Sequence, residues 1–153
     1  MKKALLLGLI SAMMIFVISG CGSKNDFDFN IENHVWQFSN MVDSENGTIV
    51  ACCEEMAEAY PEAEIMNLTC KASTNVMAIR DASTSNGKEI SYDGIAKDTN
   101  SLTYKLVLQD GLETIEGMAV SSITEYAKGE YEYTLVVDID GYALYFYDRE
   151  SVK

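Results

Sequence analysis

Short apolar stretches recur along most of the chain, and many of them alternate apolar with polar side chains. Alternation with a period of two is typical of β-strands that bury one face. The pattern predicts nine strands, over residues 34–43, 48–53, 64–72, 75–83, 89–97, 101–109, 112–126, 131–139 and 142–149.

Asn-Gly or Asp-Gly pairs lie between several of these strands, at 46–47, 86–87, 110–111 and 140–141. These dipeptides favour two-residue hairpins, because a type I′ turn needs a positive φ at both central residues. A two-residue turn also fixes which residues oppose each other. We therefore expect three opposed pairs, Leu135 with Phe146, Tyr104 with Gly117, and Ile79 with Gly94.

One segment has helical character. Residues 54–60 are good helix formers with acidic residues in the first turn, and Pro61 ends them. Sequential hairpin-linked strands and one short helix near 54–60 predict a mainly β fold. We expect an antiparallel up-and-down barrel of about eight or nine strands, with a β-sandwich as the alternative.

The first 20 residues differ from the rest. Two lysines precede an uncharged apolar stretch and two small residues, which is the order of a secretory signal peptide. The residues Ile18-Ser19-Gly20-Cys21 resemble the bacterial lipobox. This resemblance implies cleavage before Cys21, lipidation of Cys21, and a protein anchored on the extracytoplasmic face of the cell membrane. We expect a leader over 1–20, a flexible tether over 21–33 and one domain over 34–150.

The chain is strongly acidic. It carries 11 Lys and Arg against 24 Asp and Glu, a formal net charge of −13. Without the two leader lysines, nine basic residues remain against the same 24 acids, which makes −15. A surface of this charge argues against binding nucleic acid or anionic lipid headgroups.

Catalytic chemistry is poorly supported. The chain has one histidine, His34, which we expect at the surface or at a strand end. Phosphate-binding glycine loops, nucleophile elbows and histidine-rich metal motifs are absent from the sequence. Asp138-x-Asp140-Gly141 resembles part of a calcium loop, but a hairpin turn between two apolar strands explains it better. We therefore expect neither an enzyme nor a metal or cofactor site.

Three cysteines follow the lipobox. Cys52 and Cys53 are adjacent, so on a strand they point to opposite faces and only one can easily reach Cys70. A Cys53–Cys70 disulfide is favoured, with Cys52–Cys70 as the alternative. The remaining thiol is expected to be buried and free, with an intermolecular disulfide as a further possibility.

The layout resembles the lipocalin-like, or calycin-type, small barrels. Trp36 lies in the first strand, within His34-Val35-Trp36-Gln37-Phe38, and a meander follows over 64–149. The Gly-x-Trp of true lipocalins is absent. This resemblance implies that the barrel holds a small apolar or amphipathic ligand, or binds a protein at its rim. The interior candidates are Trp36, Phe38, Met66, Leu68, Met77, Ile79, Tyr104, Leu106, Leu135, Val137, Leu144 and Phe146.

The alternative function is a protein-interaction module that uses the acidic surface to bind a cationic secreted enzyme or peptide at the cell envelope. Opposite charge would steer such a partner to the protein. Tyr145 and Tyr147, which the expected register turns outward, are candidates for a contact patch because tyrosine is enriched in interfaces.

Overall fold

The structure is a computed structural model that describes residues 27–150. Within these residues it contains ten strands and two single turns of 3-10 helix, η1 and η2. In chain order they are η1 (Ile31–Asn33), β1 (Trp36–Asp43), β2 (Ile49–Cys52), η2 (Glu54–Met56), β3 (Glu64–Ile65), β4 (Leu68–Ser73), β5 (Val76–Asp81), β6 (Gly87–Lys97), β7 (Ser101–Asp110), β8 (Glu113–Ala127), β9 (Glu130–Ile139) and β10 (Tyr142–Asp148).

Eight strands close into an antiparallel barrel, which confirms the predicted mainly β, up-and-down fold over a sandwich. Strands β4 to β10 are neighbours in chain order, and β1 closes the ring between β4 and β10. Strands β2 and β3 lie outside this ring. Trp36 and Gln37 of β1 pair with β4, whereas the later part of β1 pairs with β2. Strand β3 then adds to β2 in parallel and ends the sheet.

The hairpin at 140–141 forms as the sequence predicts. Asp140 and Gly141 have φ values of 55° and 81°, as a type I′ turn requires. Leu135 lies opposite Phe146, so the expected register of this hairpin is confirmed.

The register expected around 110–111 is wrong by two residues. The turn residues are Gly111 and Leu112, and Tyr104 lies opposite Ala119 where Gly117 was expected. Leu112 is fully exposed at the tip of the turn. A shift of two leaves every side chain on its expected face, because side chains alternate with a period of two.

The register expected around 86–87 is wrong by six residues. Arg80 pairs with Gly87, so the loop is longer than the Asn-Gly pair alone predicts. The cause is Asp81, whose carboxylate accepts the main-chain N–H groups of Ser83 and Thr84 at 2.8 and 3.0 Å. This local hydrogen bonding starts a turn before the Asn-Gly pair is reached.

Residues 27–33 are part of the domain, which corrects the expected tether over 21–33. They cross the end of the barrel where β1 starts, and we call this segment the plug. Phe29 and Ile31 of the plug are 6% and 0% exposed and belong to the barrel core. The indole nitrogen of Trp36 donates a hydrogen bond to the Ile31 carbonyl at 2.9 Å. The alternating apolar residues of this segment therefore bury themselves in the barrel.

The segment between β2 and β3 is only weakly helical. The short helix expected near 54–60 is reduced to the single turn η2, followed by further turns that end near Pro61. Seven residues before a proline are too few for a stable isolated α-helix. The segment therefore follows the wall of the barrel, with no helix packed on it.

Candidate functional site

The predicted interior residues come together in one packed core. Of the twelve, all but Met66 and Leu144 are at most 9% exposed, and these two pack partly buried against the same core. Met77, Leu106, Leu135 and Val137 are 0% exposed, which means that none of them borders a space that admits water. The described side chains therefore fill the barrel around these positions.

Tyrosine hydroxyls hold the plug in place. The Tyr133 hydroxyl accepts the Asp28 N–H at 2.8 Å, and the Tyr104 hydroxyl donates to the Phe29 carbonyl at 3.1 Å. The Tyr92 hydroxyl lies 2.7 Å from a carboxylate oxygen of Glu32. Burial is the main cause that raises the pKa of all three tyrosines above its usual range. At neutral pH these hydroxyls therefore remain protonated and available to the plug.

His34 is buried two residues before β1 starts, so it lies near the expected strand end and not at the surface. Its Nδ1 lies 3.0 Å from Asp148 Oδ2, and both side chains are about 1% exposed. Its Nε2 lies 2.6 Å from the Asp28 carbonyl oxygen, which can only accept, so Nε2 carries a hydrogen and donates it. Asp148 also accepts the main-chain N–H of Val35. This pair joins the plug, the start of β1 and the end of β10.

The Cys53–Cys70 disulfide is not formed, nor is its alternative with Cys52, and all three thiols are free. Cys70 lies opposite Trp36, whereas Cys52 lies opposite Asn40, four residues further along β1. At about 3.3 Å per residue this separates Cys52 from Cys70 by about 13 Å along β1, and Cys53, whose N–H donates to the Ser39 carbonyl, lies about 10 Å from Cys70 by the same measure. A disulfide needs Cα atoms within about 7 Å of each other. Burial raises the pKa of the Cys70 thiol to about 12.

A cleft of about 400 Å³ lies between the 53–67 segment and the outer wall of the barrel. We call it the acidic cleft. It is lined by Cys53, Glu54, Glu55, Ile65, Met66, Asn67, Asp81, Ser83 and Tyr147.

The lining of the acidic cleft carries three carboxylates and no basic side chain. Glu54 and Glu55 are exposed at the start of η2, and none of the five ion pairs found within residues 27–150 involves them. Burial raises the pKa of Tyr147, and the nearby negative charge of Glu55 raises it further. The cleft thus combines negative charge, with no basic side chain in its lining, with an aromatic wall and the apolar side chains of Ile65 and Met66.

Tyr147 meets the acidic cleft at one side and an arginine at the other. The guanidinium carbon of Arg149 lies 4.7 Å from the ring centre of Tyr147 and 4.7 Å from that of Tyr126. Glu132 fixes the same guanidinium through a 2.8 Å contact. Tyr145 and Tyr147 were predicted to form an outward contact patch, and both side chains are half-buried. Tyr147 forms one wall of the acidic cleft.

Sequence reasoning missed the acidic cleft. Glu54 and Glu55 were assigned only to the start of a helix, and Asp81 only to a strand. The cleft joins Tyr147 to residues more than 60 positions earlier in the chain, so no local pattern contains it. The one signal in the sequence was the absence of any basic residue between Cys52 and Cys70.

Metal binding and membrane-spanning helices can be assessed for residues 27–150. No group of three His, Cys, Asp or Glu side chains within 27–150 is arranged to hold a metal ion. None of the helices in that range has the length and apolar character needed to cross a membrane. Cys21 and the leader over 1–20 lie outside the described residues.

Comparison with known proteins finds no match: no family model, no curated protein and no solved structure is similar to this chain.

Proposed function

We propose that the chain is the precursor of a lipid-anchored binding protein, displayed outside the cytoplasmic membrane, that binds a cationic partner on the outer wall of its barrel. The observation that carries this proposal is the acidic cleft, which presents three carboxylates beside Tyr147 without a basic neighbour in its lining. A cationic peptide segment would meet opposite charge and apolar surface together. No residue is assigned a catalytic role.

The packing of the interior supports binding on the outside. A ligand inside the barrel would have to displace side chains that are already 0% exposed, or the plug residues Phe29 and Ile31. The cleft needs no such rearrangement.

The anchor is proposed on the lipobox resemblance at Cys21. Cells that express the full chain and are fed labelled palmitate should give a labelled membrane protein. The Cys21→Ser variant should carry no label and leave the membrane fraction. Label retained by Cys21→Ser would exclude this residue as the lipidation site.

The cationic partner is tested with hexalysine and the lipidated full-length protein in a nonionic detergent. The variant Glu54→Gln/Glu55→Gln is compared with Glu45→Gln/Glu113→Gln, which removes the same charge from exposed sites outside the cleft. We expect the cleft variant to bind about tenfold more weakly, since each exposed ion pair contributes up to about 1 kcal/mol.

The control variant should bind hexalysine within about twofold of the unaltered protein, because salt screens charges further away than about 10 Å. Equal losses in both variants would mean that the peptide senses net charge and not the cleft. Absence of hexalysine binding at low salt would refute the proposed function.

A small amphipathic ligand inside the barrel, with a polar group that reaches Ser121, is the second candidate, and one observation favours it. The Ser121 hydroxyl is fully buried and finds no hydrogen-bond partner among the described residues. Ser121 shares the inward face of β8 with Ala119 and Ile123 of the core. Native mass spectrometry of protein purified from its own cell tests this candidate, which requires a retained ligand of constant mass.

A further inference from the structure

Strand β3 is the terminal strand of the sheet and also a wall of the acidic cleft. In the described chain, β2 covers one of its edges and no strand pairs with the other. We propose that the occupant of the cleft is an extended peptide of alternating basic and apolar residues, which pairs with the free edge of β3. This inference rests on the proposed function, because it names the partner of the same cleft.

The main chain of Ile65 faces the right way for such pairing. Met66 donates its N–H to the Cys52 carbonyl at 2.9 Å. Because main-chain groups alternate in direction along a strand, the N–H and C=O of the preceding residue, Ile65, point away from β2. Its side chain is 60% exposed and lines the cleft. An added strand would use these main-chain groups, as in β-augmentation.

The side chains around this edge fit a peptide with two kinds of residue. Glu54 and Glu55 face the cleft from one side and Asp81 from another, while Ile65 and Met66 give it apolar surface. In an extended peptide, alternate side chains point in opposite directions. Basic side chains can then reach the carboxylates while the apolar ones pack on Ile65 and Met66. A compact cation could use the charges but not the strand edge.

The experiment uses a six-residue peptide of alternating lysine and valine, and two isomeric derivatives with the same charge. One derivative is N-methylated on every lysine main-chain nitrogen, the other on every valine main-chain nitrogen. A strand pairs through the N–H groups of alternate residues only. Strand addition therefore predicts that one derivative binds about fivefold more weakly, whereas the other stays within about twofold of the parent peptide.

The two hypotheses fail in different ways. Equal binding of both derivatives at the affinity of the parent peptide would overturn strand addition and leave the cationic cleft standing. Failure of the parent peptide and of hexalysine to bind at all would overturn the proposed function itself.

A matched pair of protein variants gives a second test. Ile65→Pro removes the N–H that faces the free edge and leaves the Met66–Cys52 hydrogen bond intact. Ile65→Val keeps both the N–H and this hydrogen bond. We expect about fivefold weaker binding of the parent peptide to Ile65→Pro and unchanged binding to Ile65→Val. Hydrogen exchange should also show the Ile65 amide protected by the peptide. A folded Ile65→Pro variant that binds the parent peptide like the unaltered protein would overturn the inference. If this variant does not fold, the comparison of the two methylated peptides tests strand addition without it.

Discussion

The buried pair between His34 and Asp148 should be a large determinant of stability. Replacing Asp148 with alanine removes the carboxylate that contacts His34 Nδ1 and that accepts the main-chain N–H groups of Val35 and Glu150. His34 is inaccessible to water and Val35 N–H is partly buried, and an unsatisfied buried donor costs about 1 to 3 kcal/mol. We expect Asp148→Ala to lower the free energy of unfolding by about 3 to 5 kcal/mol, as breaking other buried pairs does.

Urea unfolding followed by Trp36 fluorescence measures this loss. Trp36 is the only tryptophan and its ring centre lies 4.9 Å from that of His34, so it reports on the same region. The double variant His34→Phe/Asp148→Leu should be clearly more stable than Asp148→Ala, because an apolar pair leaves no unpaired buried charge. A loss below about 1 kcal/mol in Asp148→Ala, or a double variant as unstable as the sum of its single variants, would refute this account.

Three further predictions concern the barrel. Ser121→Ala should raise the free energy of unfolding by about 1 kcal/mol, because it removes a buried hydroxyl without a partner; a destabilised variant would instead indicate an interior ligand or water. Gly117→Ala should destabilise by about 1 to 3 kcal/mol, since its Cβ would meet the neighbouring strand, whereas Gly94→Ala, with open space around it, should change stability by less than about 0.5 kcal/mol. Burial raises the pKa of Cys70 from 9.0 to about 12 and raises that of Tyr92, so the folded state keeps protons that the unfolded chain loses. These two groups should therefore leave the urea midpoint unaffected below about pH 9 and make it fall as the pH rises towards 12.

The barrel was predictable because its signals are local. Alternation lies within each strand and a hairpin dipeptide between several of them, and the 140–141 hairpin forms with its expected register. The error at 86–87 arose because two turn signals compete there. The Asp81 carboxylate accepts hydrogen bonds from the next residues and starts a turn there. A rule based on the Asn-Gly dipeptide alone does not include this competing turn.

The parts that sequence reasoning missed depend on distant contacts. His34 and Asp148 are 114 positions apart, and each alone resembles an ordinary polar residue at a strand end. The disulfide was expected from sequence proximity, but β1 separates Cys52 from Cys70 along its length. Pairings of this kind become visible only once the ring of strands is closed.

The plug decides which surface of the barrel is left for binding. Phe27 follows Cys21 by six positions, a span of at most about 22 Å, so a lipid on Cys21 would keep the plugged end towards the membrane. A lipid-borne ligand entering there would have to break the hydrogen bonds of the plug to Tyr104 and Tyr133 and expose Ile31. A partner that binds to the outer wall of the barrel would not have to break these contacts. The acidic cleft opens on that wall, so the proposed partner would reach it while the proposed lipid anchor and the plug stay in place.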